Sequence, residues 1–173
     1  MFLHIPTKKE LLFKKILKED VLTMDYNAGY QVDYDGYDYN TGIIKTDIDE
    51  LKNIWYKKWI NNWPSKYYAY ITVDDKFIGE IYAKYDDSYF GYEMGIVIKN
   101  EYRGKGYSTI AIKLLCDKLK ELGAKKIFHI LPQSRKSAIK ADTNNGFVIK
   151  KQNIDGIKKF GKIEKLVYLE KFL

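Results

Sequence analysis

"NEYRGKGYSTIAIKLL", residues 100–115, places two cations and two glycines at positions 103–106 and runs straight into an apolar pattern of helical period. Ala111, Leu114, Leu115, Leu119 and Leu122 share one face of that helix, and Gly123 supplies its stop. The first backbone N–H groups of such a helix are unpaired and sit at the positive end of its dipole. A glycine-bearing turn entering it is therefore an anion site by construction. Gly104 and Gly106 omit side chains that would block a phosphate, while Arg103 and Lys105 add charge. Two phosphate turns are excluded. A P-loop requires Gly-Lys followed by Ser or Thr, whereas Gly106 follows Lys105; a dinucleotide turn requires a third glycine where Thr109 stands.

Upstream of the turn the period is that of strands. "YYAYITV", "FIGEIYAKY" and "YFGYEMGIVI", joined by the turns "DDK" and "DDS", predict an antiparallel meander. Before it, Thr7 and Glu10 form a capping box that opens a first helix, and Thr46 to Asp49 resembles a second box opening a helix that stops by Pro64. Between these helices "MDYNAGYQVDYDGYDYNTG" reads as a long ordered loop or irregular helix-loop. Downstream, "KKIFHIL" is a buried strand, "SRKSAIKADTNN" a helix capped by Ser134, and "FVIKKQ" and "KLVYLEKFL" closing strands.

The 173 residues fit a single domain over 1–173 with a substantial core. No apolar run approaches the roughly 20 residues that span a bilayer, and the N-terminus has no signal-peptide pattern, so the expectation is a cytoplasmic protein. One cysteine and two histidines give no metal-ligand cluster, and no metal is expected. Cys116 reads as a small buried hydrophobe and His129 as a satisfied structural imidazole. The net charge of +7 is segregated: Glu19 to Ile44 carries −6 and the remainder +13. A chain so divided suits two oppositely charged ligands.

"RGKGYS", Arg103 to Ser108, following the strand "MGIVI", is similar to the acyl-CoA turn of the GNAT family of N-acetyltransferases. "AIKADTNNGF", residues 138–147, resembles that family's later helix ending in Gly-Phe, and the element order is the family's order. What this resemblance implies is an α+β (mixed α/β) fold. A central, mostly antiparallel sheet of about seven strands is flanked by about four helices, and a splayed strand pair holds CoA. It further implies acetyl transfer from acetyl-CoA to a primary amine. The backbone of Arg103, Gly104, Lys105, Gly106, Tyr107 and Ser108 would hold the pyrophosphate, and the main chain of Ile96, Val97 and Ile98 would pair with pantetheine and supply oxyanion donors. Ser108 stands where the family has Gly or Ala.

The chemistry requires a neutral amine and a protonated leaving thiolate. Glu93, between Gly91 and Gly95, is the candidate base, with Glu80 as rival; a cross-strand-paired glutamate is the other reading of Glu93. For the acid, the family's tyrosine position is occupied by Asp142, and Arg135 replaces an asparagine at the start of the same helix. Three sources stay open: a buried and perturbed Asp142, a tyrosine from elsewhere, or water. Family acceptors bind by the first two helices and the loop between them, so Tyr34, Asp35, Tyr37 and Asp38 are the candidate acceptor residues. Carboxylates and aromatic faces there suit a cationic amine, such as a polyamine, an aminoglycoside-like molecule or a protein amine. Two alternatives compete: a non-catalytic acyl-CoA sensor, and a nucleic-acid module, which the dispersed lysines disfavour. No membrane or nucleic-acid partner is expected. Trp55, Trp59 and Trp63 are at helical spacing and read as core or, in a homodimer, as dimer surface.

Overall fold

The computed structural model describes residues 1–28, 37–38, 43–157 and 163–173. Its strands are β1 (Phe2–His4), β2 (Tyr37–Asp38), β3 (Ile43–Ile44), β4 (Lys66–Val73), β5 (Lys76–Asp86), β6 (Gly91–Ile98), β7 (Lys126–Pro132), β8 (Val148–Ile157) and β9 (Ile163–Phe172). Two helical runs, α1 (residues 8–27) and α2 (residues 48–59), precede α3 (Tyr107–Glu121) and α4 (Lys136–Asn144). Seven strands form one sheet in the order β1-β4-β5-β6-β7-β9-β8, and β2 and β3 form a separate ribbon. Neighbours in the large sheet run antiparallel, except for β6 and β7, which are parallel and joined through α3. The expected α+β architecture is thus observed among the described residues.

Tyr67 through Thr72 on β4 are all buried, because helices cover both faces of the sheet. On one face, Ile81, Met94, Ile127 and Leu169 pack with Ala111, Ile112, Leu115 and Leu119 of α3. On the other, Tyr68 and Tyr70 meet Phe13 of α1 and Trp55 and Trp59 of α2. Trp63 stacks on Tyr92 with ring centres 5.0 Å apart, so the tryptophans are committed to aromatic packing within the chain.

Several local expectations change. The opening residues form β1, whose three residues pair with Tyr70, Ile71 and Thr72. Met24 to Asn27 continue α1, which favours the irregular helix-loop over the plain loop at the start of that stretch. The third strand begins at Gly91 rather than Tyr89, since Phe90 takes a left-handed backbone and is 80% exposed in the turn. At the second helix Asp47 is the cap, its carboxylate accepting from Asp49 N (2.7 Å) and Glu50 N (3.1 Å). Ser134 does not cap α4; its hydroxyl donates to Glu164 at 2.8 Å. The Thr7 box holds, with Glu10 accepting from both the amide and hydroxyl of Thr7.

Candidate active site at the splayed strands

The parallel ladder between β6 and β7 ends at the pair Glu93↔Phe128. Beyond it each strand stays with its outer neighbour: β6 pairs with β5 to Gly79↔Ile98, and β7 pairs with β9 to Pro132↔Leu166. The two strands therefore diverge, and the inner edge of Met94 to Ile98 carries no ladder to any described residue. A strand edge freed in this way offers N–H and C=O groups to an extended ligand. Ile96, Val97 and Ile98 lie on this edge, with the Ile98 side chain in the core.

Two cavities open on either side of the gap. The first, about 670 Å³, extends from Val97 to the turn and reaches Gly104, Gly106, Tyr107 and Ser108. In that turn the Arg103 amide donates to Asn100 O and the Thr109 amide to Gly106 O. The amides of residues 104–108 have no acceptor among the described residues and stand at the N-terminus of a 15-residue helix. Gly104 and Gly106 have φ of +75° and +79°, and a Cβ at either would meet nothing within 4 Å. The turn is therefore a cradle of free donors around open space, the shape and polarity that a pyrophosphate requires. Residues 104–108 thus present free amides that suit a pyrophosphate, whereas the Arg103 amide, expected among the donors, is taken by Asn100 O.

The Arg103 side chain has a different task. Its guanidinium grips the buried Asp25 carboxylate through two bonds, 2.8 and 3.1 Å, while Nε donates to Ile98 O at 2.8 Å. Arg135 adds a second cation 3.7 Å from Asp25. This bidentate clamp ties the end of α1 to both the turn and the splayed strand. Asparagine at 145 makes a second tie, from α4 to the first turn of α3, by donating to Thr109 O and Ala141 O.

The second cavity, about 590 Å³, lies on the aromatic side and is bordered by Trp55, Trp59, Tyr68 and Tyr82. Gly95 shapes its floor: a Cβ there would sit 2.3 Å from the Tyr82 ring. Within it Lys14 Nζ lies 3.0 Å from Glu80, 3.4 Å from the Tyr68 hydroxyl and 4.5 Å from the centre of the Trp55 ring. Tyr68 also donates to Glu80. Burial, and then the Glu80 charge, push the Tyr68 hydroxyl well above its usual range, so it remains a donor. Oε2 of Glu80, the rival base, is thereby engaged by both Lys14 and Tyr68. Glu93 also borders this cavity; its side chain is 34% exposed and lies 3.9 Å from Lys84 across the strands. Both readings of Glu93 are thus compatible with its place.

Asp142 is fully buried on the apolar face of α4, at helical spacing with Ala138, Ala141 and Asn145. Its Oδ2 lies 2.9 Å from His129 Nδ1, and its Oδ1 has no hydrogen-bond partner. His129, read from the sequence as structural, lies in the gap between the strands and borders both cavities. The signal that could have found it is parity. His129 shares the helix-covered face of β7 with Ile127 and Leu131, the same face on which Asp142 approaches. Cys116 is buried as expected, and burial pushes its thiol up to about 11. Tyr34 and Asp35 lie outside the described residues. Tyr37 and Asp38 are described by their backbone, which pairs with Ile44 and Ile43.

The Acetyltransferase (GNAT) family matches residues 32–147. The chain belongs to this family of acetyltransferases. It is 30% identical over 91 residues to N-alpha-acetyltransferase 30 of Schizosaccharomyces pombe (strain 972 / ATCC 24843), a match covering 49% of this chain and 59% of the relative's length. In fold it is similar to the spermidine N-acetyltransferase of Vibrio cholerae in complex with CoA and spermine, with a TM-score of 0.75, 17% identity and coverage of 98% and 94% of the two chains. A similar likeness holds to the microcin C7 self-immunity acetyltransferase in complex with acetyl-CoA and AMP, with a TM-score of 0.74, 14% identity and coverage of 99% and 91%.

Proposed function

We propose that the protein is an acetyl-CoA-dependent N-acetyltransferase, acting as one unit over residues 1–173, that moves an acetyl group to a primary amine by direct attack. The observation that carries this reading is the gap between β6 and β7, which joins a donor-lined cavity to an aromatic one. The donor-lined cavity suits CoA. Free amides of residues 104–108 meet its pyrophosphate, Lys136 and Lys140 border the same cavity, and the open edge of Ile96 to Ile98 meets pantetheine. The acceptor enters from the aromatic side, where Glu93 takes a proton from the incoming ammonium directly or through water. Backbone N–H groups of the freed β6 edge stabilise the charge that develops on the carbonyl oxygen.

The acceptor we favour is cationic, such as a polyamine, an aminoglycoside-like molecule or a protein amine. Glu93 and the aromatic faces support that choice, as does the acidic segment between Glu19 and Ile44. A thermal-shift series with acetyl-CoA, CoA and DNA, followed by thiol release with spermidine, an aminoglycoside and peptides bearing free amines, tests the reading. Acetyl-CoA at 100 times its Kd should stabilise the fold by about 2.7 kcal/mol, and at least one amine should release thiol. Absence of stabilisation by acetyl-CoA and CoA would overturn the reading, whereas stabilisation without thiol release would favour the sensor.

A further inference from the structure

We infer that His129 and Asp142 form a proton-transfer dyad that delivers a proton to the departing sulfur; the inference rests on the acetyltransferase reading above. His129 is the first residue of β7 past the last rung of the parallel ladder, so its ring stands in the gap where the two cavities meet. With Asp142 ionised, His129 Nδ1–H donates to Oδ2 at 2.9 Å, which fixes the tautomer and leaves Nε2 as the acceptor. Nε2 makes no hydrogen bond to any described residue, so it is available to a ligand in the gap.

Asp142 is placed against structural interest. It is fully buried, its second carboxylate oxygen has no partner, and it occupies the last turn of α4, where the helix dipole repels an anion. An apolar residue would fit that face at lower cost. The arrangement has the logic of a histidine oriented by a buried carboxylate, with the imidazole carrying the proton and the aspartate holding the ring. Here it also fills the role left open when Asp142 replaces a tyrosine, since the buried carboxylate acts through the imidazole and need not itself be the acid.

The proton balance is complete within the two substrates and the dyad. A neutral amine nitrogen forms a C–N bond to the thioester carbon, and the C–S bond breaks with its electron pair leaving on sulfur. The N–H proton released from the nitrogen passes to Nε2 and from Nε2 to the thiolate, giving an amide and a free thiol. His129 is the catalytic residue and Asp142 its positioning residue. Asp25 of α1 and Arg135 at the entry to α4 border both cavities; Lys14, Lys18, Glu80 and Glu93 line the aromatic one, and Arg103, Lys136 and Lys140 the other. Leu169, opposite on β9, is apolar.

The test uses the full chain and its His129→Gln and Asp142→Asn variants, with folding checked by Tm. In His129→Gln, kcat should fall by about 100-fold, with Kd for acetyl-CoA changed less than about threefold. In Asp142→Asn, kcat should fall at least about tenfold, and the shape of the kcat–pH profile should differ from that of the wild type. Long-range ¹⁵N spectra give a readout without turnover. The His129 Nε2 resonance should shift on adding CoA and not on adding desulfo-CoA, and the single tautomer should be lost in Asp142→Asn. Retention of wild-type kcat across pH 6 to 9 in either folded variant would overturn the dyad. If the wild-type chain releases no thiol with any amine, the acetyltransferase reading falls and the dyad is judged by the spectra: a CoA-specific Nε2 shift upholds it, and no shift overturns it.

Discussion

The two cavities that His129 borders are organised around charge in opposite ways. On the turn side the donors are backbone amides of residues 104–108 that nothing described in the chain satisfies. On the aromatic side Lys14, Glu80 and Tyr68 satisfy one another, and the ammonium of Lys14 already lies against Trp55. The first cavity is thus organised with a deficit of acceptors, which suits an anion. The second is neutralised around Lys14 and Glu80, so these walls hold shape, and Glu93, the base proposed above, stands at its border. A site that must hold the same donor at every turnover can afford fixed donors, whereas a site that admits an acceptor is better served by a rigid frame whose own charges are quenched.

The largest effect that would break this contrast is expected at Lys14. Lys14→Met removes the cation while leaving Glu80 buried, and a buried charge stripped of its partner costs about 3 kcal/mol. In a chain of this size that corresponds to a Tm lower by roughly 6–12 °C. Adding Glu80→Gln should restore more than half of the loss, because the penalty belongs to the uncompensated charge. A single variant with unchanged Tm would mean that the aromatic side is not a self-neutralised frame.

Next in size is Gly106→Val, which sharpens the other half of the comparison. Valine at a φ of +79° strains the backbone, and its branched side chain projects into space that is open in the glycine turn. Calorimetry should show CoA binding weakened by about 2 to 3 kcal/mol, roughly 100-fold in Kd. If Gly106→Val binds CoA as the parent does, the amides of the turn are not the anion site.

The contrast also explains which parts of the molecule were legible in the sequence. The glycine turn is local: Gly104, Gly106 and the periodicity of α3 stand within 16 residues, so spacing alone announces free donors at a helix start. The meander was legible for the same reason, since alternation and the Asp74–Asp75 turn lie in adjacent residues, both aspartates taking left-handed backbones. What escaped was pairing across distance. Arg103 meets Asp25 from 78 positions away, Lys14 meets Glu80 from 66, and His129 on β7 meets Asp142 on the helix α4. Locally, Arg103 reads as charge added to a phosphate turn, Lys14 as a lysine of the first helix and His129 as a structural imidazole of a strand. Only the topology reveals that each faces a buried carboxylate. Ser134 failed for a related reason: its hydroxyl had a better partner in Glu164, on a segment 30 residues later.

The smallest expected effect separates the backbone of the turn from its side chains. Lys105 is exposed, and its ammonium lies 5.5 Å from the Tyr102 ring. Its amide is among the free donors of the turn, and replacing the side chain leaves that amide in place. Lys105→Met should therefore weaken CoA binding only about threefold at low salt, since exposed charges in water contribute less than about 1 kcal/mol. The difference should disappear in about 0.5 M NaCl, where the Debye length falls to a few ångströms and the long-range attraction is screened. Measured beside Gly106→Val, the two substitutions change neighbouring residues by different means, one altering backbone shape and the other surface charge. A large and salt-sensitive loss in Lys105→Met would move the recognition of the anion from the amides to the ammonium, and would erase the contrast between a cavity read by its main chain and one framed by its side chains.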